Sequence, residues 1–163
     1  MKKVVVISDT HIPKKAKCLP ANVTDEIKSA DMVIHAGDIN MDYVIYELQE
    51  IVPVEAVAGN TDDEFVKGLL GTKKVINIEN CKIGIIHGDG ISGTTSERVI
   101  KAFKDDGVNC IVFGHSHIPV NIVVDGVLLF NPGSPTDKRR QPMFSYGILI
   151  IDDNKISGDI KFF

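Results

Sequence analysis

Four of the five histidines in this 163-residue chain lie in short polar clusters directly behind apolar runs. Val4-Val5-Val6-Ile7-Ser8 leads into Asp9-Thr10-His11, and Val33-Ile34-His35-Ala36 into Gly37-Asp38. Val54-Glu55-Ala56-Val57-Ala58 leads into Gly59-Asn60-Thr61-Asp62, Ile83-Gly84-Ile85-Ile86 into His87-Gly88, and Ile111-Val112-Phe113 into Gly114-His115-Ser116-His117. The clusters offer carboxylate, imidazole and amide groups, which suit divalent metal ions. In an α/β sheet, ligands gather at the carboxyl ends of the strands. Five strand-like runs ending in five such sets predict a metal-dependent hydrolase.

Each cluster is weak alone. Asp9 and His11 are two apart, so an extended chain would project both to one side. His115 and His117 repeat that spacing, and Gly114 lets the backbone approach closely. Asp38 has two carboxylate oxygens and can bridge two ions. An isolated Gly-Asp is more often a helix N-cap, but Asn40 is a second candidate for that task. Asn60 offers a neutral amide oxygen, although Gly-Asn by itself is usually just a turn. His87 closes a further run. His35 lies inside a strand and reads as a buried residue standing behind the ligands. Nitrogen and oxygen donors without sulfur favour Mn²⁺, Fe²⁺, Co²⁺, Ni²⁺ or Zn²⁺ over Ca²⁺ or a structural zinc. Two such ions outweigh the charge of Asp9 and Asp38 and leave a positive hole for a phosphate anion. Ions ~3.5–4 Å apart can activate a water and hold both oxygens of an in-line displacement.

Strands must present these residues. Val- and Ile-rich runs bounded by turn residues predict strands over 3–8, 31–36, 52–58, 73–79, 82–87, 109–114, 118–124, 126–130, 144–151 and 155–162. The early runs are continuously apolar, as in strands buried on both faces. Val124-Asp125-Gly126-Val127 and Asp152-Asp153-Asn154-Lys155 read as hairpin turns. Behind Asn40, Met41, Val44, Ile45 and Leu48 recur at helical spacing. Thr94-Thr95-Ser96-Glu97 is a capping box ahead of Val99, Ile100 and Phe103, with Gly107 beyond. Weaker helices are expected over 23–29 and 62–70. The fold class is α/β: two packed sheets flanked by helices in a single domain spanning 1–163.

Composition excludes other classes. Hydrophobic residues make up 44% and charged residues 25%, typical of a globular protein. The formal net charge of -4 argues against coating long nucleic acids. No run approaches the ~20 apolar residues of a membrane span. The start, Met1-Lys2-Lys3, lacks the pattern of a signal peptide. Cys18, Cys81 and Cys110 are scattered and read as reduced thiols, so a cytoplasmic location is expected.

As an ordered set, Asp9-Thr10-His11, Gly37-Asp38, Gly59-Asn60-Thr61-Asp62, His87-Gly88 and Gly114-His115-Ser116-His117 resemble the calcineurin-like metallophosphoesterase superfamily. The short length and Asn131-Pro132-Gly133-Ser134 are similar to its small YfcE-like phosphodiesterase branch. The resemblance runs from Met1 to about Ile151. It implies a four-layer αββα sandwich of mixed sheets and hydrolysis of phosphodiesters by water activated at two divalent ions, Mn²⁺ or Ni²⁺ foremost, with Fe²⁺, Co²⁺, Zn²⁺ or Mg²⁺ as alternatives. It also implies the ligand split: Asp9, His11, Asp38 and His117 on one ion; Asp38, Asn60, His87 and His115 on the other. Asp38, Asn60 and His115 are read as catalytic as well.

One departure narrows the chemistry. Many members carry a histidine directly after the motif asparagine, where it is thought to protonate the leaving group. This chain has Thr61 there; the YfcE-like branch commonly lacks that histidine, so good leaving groups are expected. Lys14, Lys15 and Lys17, or Arg139 and Arg140 with Lys138, could meet a phosphate group, or form solvated loops. The expected partner is a small phosphodiester, with no long nucleic acid and no membrane; a homodimer is left open. Two rival functions are a nuclease acting on short or cyclic nucleotides and a scaffold. The same superfamily contains a retromer subunit that works mainly through protein contacts.

Overall fold

In the computed structural model, which describes residues 1–163, β1 (Lys2–Ile7) is the central strand of a sheet and is buried on both sides. Val4 and Val6 face one core while Val5 and Ile7 face another, and all four are wholly buried. The remaining elements are α1 (Ala21–Lys28), β2 (Met32–His35), α2 (Tyr43–Gln49), β3 (Val54–Ala56), α3 (Glu64–Leu70), β4 (Lys73–Ile78) and β5 (Cys81–Ile86). Then follow α4 (Thr95–Ala102), β6 (Cys110–Val112), β7 (Val120–Val124), β8 (Val127–Asn131), β9 (Ser145–Asp152) and β10 (Lys155–Phe162).

The strands form two five-stranded mixed sheets, β10-β9-β1-β2-β3 and β4-β5-β6-β8-β7. Between them lies a core that includes Val4, Val6, Ile34 and Val57 from one sheet and Ile83, Ile85, Val112 and Phe130 from the other. Outside the first sheet, Val23 and Ile27 of α1 and Val44, Ile45 and Leu48 of α2 pack on Val5, Ile7 and Val33. Outside the second, Val99 and Phe103 pack on Ile111, Phe113 and Leu129. Helices, sheet, sheet and helix give the expected αββα order.

Parallel pairing carries the functional clusters to one edge. β1, β2 and β3 run parallel, with Ile7 beside His35 and His35 beside Ala56. β5, β6 and β8 also run parallel, with Ile85 beside Val112 and Val112 beside Phe130. Six strands therefore end on the same side of the sandwich. The Asp125-Gly126 hairpin forms with φ of 49° and 81°, and the capping box of Thr94 and Glu97 is complete.

Asn40 is not the N-cap of α2. That helix begins at Tyr43 behind Asp42, without a side-chain cap hydrogen bond. Asn40 has φ 78° and gives its backbone N–H to Asp62 Oδ1 at 2.7 Å. A tertiary contact overrides the local capping preference and leaves Met41 outside the helix.

Candidate functional site

At the shared strand edge, the ligand atoms of Asp9, His11 and His117 lie within 4.8 Å of one another, as do those of Asp9, Asp38 and His87. All five residues are buried. Asp38 Oδ2 is 3.6 Å from His11 Nε2 and 3.3 Å from His87 Nε2. Asp9 Oδ1 is 3.3 Å from His117 Nε2 and 3.8 Å from His87 Nε2. Both carboxylates thus stand between the histidines, Asp9 as much as Asp38. Asn60 and His115 meet beside them, with Asn60 Oδ1 and His115 Nδ1 3.2 Å apart. The His115 ring lies edge-on to His87, with centroids 5.3 Å apart. All seven ligand candidates read from the sequence converge here.

The outward atoms are held in place by their other ends. His87 Nδ1–H donates to the Ala36 carbonyl at 2.7 Å, and His117 Nδ1–H donates to the Asp137 carbonyl. Each ring therefore turns an unprotonated Nε2 to the cluster when neutral. Asp9 Oδ2 accepts from the Ser8 hydroxyl at 2.7 Å and from the His115 N–H at 3.0 Å. Asp38 Oδ1 accepts the Thr61 N–H at 2.9 Å. What remains is Asp9 Oδ1 and the Nε2 atoms of His11, His87 and His117, all buried and without a hydrogen-bond partner. Buried polar atoms are almost always paired, so four convergent exceptions fit a site built to hold cations.

The backbone differs from expectation. Asp9, His11, Asp38, His115 and His117 have φ of 54°, 46°, 57°, 68° and 59°. The chain is not extended at the two-apart pairs. They share a side because the strand ends curl in the left-handed region, which costs non-glycine residues about 1–2 kcal/mol each. At Gly114, φ is not what demands glycine. A Cβ there would collide with the Ser8 hydroxyl and the Asp9 carboxylate.

Electrostatics follow from the crowding. Burial opposes a charge on His87, but the carboxylates of Asp38 and Asp9 outweigh it and raise its pKa to about 9. Without metal this histidine is protonated near neutral pH, and an entering cation must displace that proton. Burial also works against ionisation of Asp9 and Asp38, yet their histidine contacts hold both below the usual carboxylate range. His115 is pushed down by burial and by His87.

His35 is wholly buried, and burial lowers its pKa to about 3. Its Nδ1 accepts the Gly37 N–H at 3.2 Å, so its Nε2–H faces Thr10 Oγ1 at 2.9 Å. Both ring nitrogens are occupied, and it braces the loops rather than joining the cluster. His35→Gln is expected to bind metal normally while losing about 1–3 kcal/mol of stability from disturbed buried hydrogen bonds. Metal analysis together with thermal unfolding checks this, and loss of metal from a folded variant would contradict it.

Sequence reasoning missed Asp62. Its buried carboxylate accepts the N–H groups of Asp38, Asn40 and Gly59 at 3.1, 2.7 and 2.8 Å, clamping two ligand loops together. The Gly59 contact is local, but only the chain fold brings Asp38 and Asn40 to it, so no local signal marks the clamp. The Asn131–Ser134 segment has a comparable task. Asn131 Nδ2 donates to the Gly114 carbonyl and Ser134 Oγ to the Asp9 carbonyl, both at 2.8 Å. Of the basic residues considered above, Lys15 pairs with Asp137 at 3.7 Å, while Arg139 leans on the His115 carbonyl at 3.4 Å and Arg140 is exposed.

Comparison with known proteins agrees with this geometry. The calcineurin-like phosphoesterase superfamily domain matches residues 1–154. The chain is 33% identical over 156 residues to a probable metallophosphoesterase of Methanothermobacter thermautotrophicus, covering 95% of this chain and 89% of that one. It is 31% identical over 145 residues to a phosphodiesterase of Methanocaldococcus jannaschii, covering 80% and 82%. Among solved structures, wild-type Vps29 complexed with zinc from Entamoeba histolytica superposes with a TM-score of 0.80 at 25% identity, covering 99% and 98%. With a family match over residues 1–154, an αββα sandwich and a buried carboxylate–histidine cluster at its strand ends, the chain belongs to the calcineurin-like phosphoesterase superfamily.

Proposed function

We propose that the protein is a phosphodiesterase working with two divalent ions and favouring esters with good leaving groups. The observation that carries this reading is the set of four buried, unpartnered ligand atoms on Asp9, His11, His87 and His117. Asp9, His11, Asp38 and His117 would hold one ion; Asp38, Asn60, His87 and His115 would hold the other. Bound there, such ions neutralise a phosphate and lower the pKa of the attacking water. The chain's own residues fix the geometry. Asp38 faces histidines of both sets, and Asn60 and His115 stand at the open side, where an ester would enter. The ordered loops behind them keep the ligand atoms from collapsing onto other partners. Mn²⁺ and Ni²⁺ are the first ions to test.

The likeness to Vps29 favours a second reading, a scaffold. Against it, all seven ligand side chains are present, and unpaired buried groups cost stability unless something fills the site. The deciding experiment strips the protein, adds each divalent metal, and assays phosphomonoesters, phosphodiesters and short or cyclic nucleotides. About two ions per chain and diester turnover are expected. Saturation at one ion would overturn the dinuclear site, and full metal loading without turnover of any ester would favour the scaffold.

A further inference from the structure

The chain has three arginines, Arg98, Arg139 and Arg140, and between them they line two adjoining cavities, the first of which also includes His115. The first, of about 450 Å³, is lined by Thr95, Ser96, Arg98, Phe113, His115 and Val120 among others. The second, of about 490 Å³, is bordered by Lys138, Arg140 and Gln141. Ser116, Ile118 and Arg139 belong to both, so they form the ridge between them. A phosphodiester has two arms diverging from one phosphorus, and two cavities parting at a ridge next to His115 match that shape.

The two cavities differ in character. The first combines the apolar side chains of Phe113, Ile118 and Val120 with the hydroxyls of Thr94, Thr95 and Ser96. The Arg98 guanidinium there is spent on the carbonyls of Gly88, Ser92 and Gly93 and on the Thr95 hydroxyl, which hold the loop before α4. The second is basic. Several lysines elsewhere pair with carboxylates, as Lys73 does with Asp106 and Lys74 with Glu55. Neither Arg139 nor Arg140 has a carboxylate within ion-pair distance; Arg139 has only the His115 carbonyl, and Arg140 no side-chain hydrogen bond. A diester phosphate carries one negative charge, which the cation site described above already meets. Unpaired guanidiniums next to it are therefore surplus to the scissile phosphate. Their planar donor forks suit a further phosphate.

We infer that the substrate is a phosphodiester carrying a second phosphate on one arm, and that Arg139 and Arg140 read that phosphate in the basic cavity. This rests on the phosphodiesterase reading for the scissile bond, but the anion contact can be tested without turnover. The probes are AMP, ADP and adenosine 3′,5′-bisphosphate, titrated calorimetrically into the metal-loaded protein. The last two carry the extra phosphate as a pyrophosphate and as a separate ester, so they distinguish the sources.

At least one doubly phosphorylated probe is expected to bind about tenfold more tightly than AMP, a gap of about 1.4 kcal/mol. The gap should close in the Arg139→Gln/Arg140→Gln double variant. It should persist in Lys155→Gln, which removes a charge at the start of β10, beyond the hairpin that faces away from the site. Equal binding of all three probes by the unaltered protein overturns the inference. So does a gap that survives the double variant, or one that Lys155→Gln closes equally. In parallel, aryl diesters with and without a phosphate on the retained arm are assayed. Turnover without discrimination would sink the inference and leave the phosphodiesterase standing; discrimination in binding without turnover of any ester would do the reverse.

Discussion

Asp38→Asn is expected to abolish measurable diester turnover and to weaken both metal ions in a protein that still folds. The asparagine can keep the carbonyl oxygen that accepts the Thr61 N–H. Its amide nitrogen then replaces Oδ2, the atom lying 3.6 Å from His11 Nε2 and 3.3 Å from His87 Nε2. That swap removes a negative charge and turns a lone pair into a donor facing both histidines. Residues that merely orient a metal ligand cost about 10–100-fold when lost, so removing a shared ligand should exceed a hundredfold. His117→Ala should instead deplete mainly one ion, because its Nε2 faces Asp9 and lies in the His11 set. Metal titration and steady-state kinetics on both variants decide this. Wild-type metal content and activity in Asp38→Asn would show that the carboxylate bridges nothing.

The second large effect concerns the leaving group. Cations at the cluster help the attacking side and the phosphorus centre more than the departing oxygen. An acid near that oxygen is worth about 10²–10⁴-fold. Thr61 cannot supply the proton, since its hydroxyl is a very weak acid. Asp62 cannot either, because both its oxygens accept backbone N–H groups in a buried clamp. The wild-type rate should therefore fall steeply as leaving-group pKa rises across a series of aryl and alkyl diesters. Thr61→His should flatten that slope and raise activity on the poorer leaving groups. Its backbone N–H can still hold Asp38, so the metal site is spared. A flat wild-type series with chemistry rate-limiting would mean that another residue protonates the oxygen.

Much of this molecule was legible in its sequence because burial on both faces leaves a plain trace. Runs such as Val4–Ile7 and Ile83–Ile86 have no polar position, and they became interior strands. Ends of those strands in Asp, Asn and His were visible for the same reason, as the first polar residues after an apolar run. The strand over 52–58 shrank to Val54–Ala56, and that over 109–114 to Cys110–Val112, although Val57 and Phe113 still give their N–H groups to His35 and Phe130; the left-handed curl begins only past the apolar run, as at His115. That curl was not legible. Histidine and aspartate show no local preference strong enough to announce a left-handed φ, which is imposed by contacts such as that from the His115 N–H to Asp9. Asp62 and Asn40 were hidden likewise. One resembled an ordinary turn carboxylate and the other a helix cap, and the contacts of Asp62 with Asp38 and Asn40 span more than twenty positions.

The strand order of the first sheet has a consequence for how the chain is made. β1 lies between β2 and β9, with Val4 paired to Met32 on one side and Leu149 on the other. During synthesis the first partner emerges early and the second only after β3 to β8 have been made. Until then Val4-Val5-Val6-Ile7 presents an unpaired apolar edge guarded only by Lys2 and Lys3 at its start, the kind of segment that recruits other chains. The same delay applies to the site, since Asp9 waits for the His115 N–H and the Ser134 hydroxyl. Parallel and distant pairings are slow to close. A nascent chain stalled before β9 would thus be both without its complete site and prone to aggregate, so the last strands act as the lock on a sheet that the first strand begins.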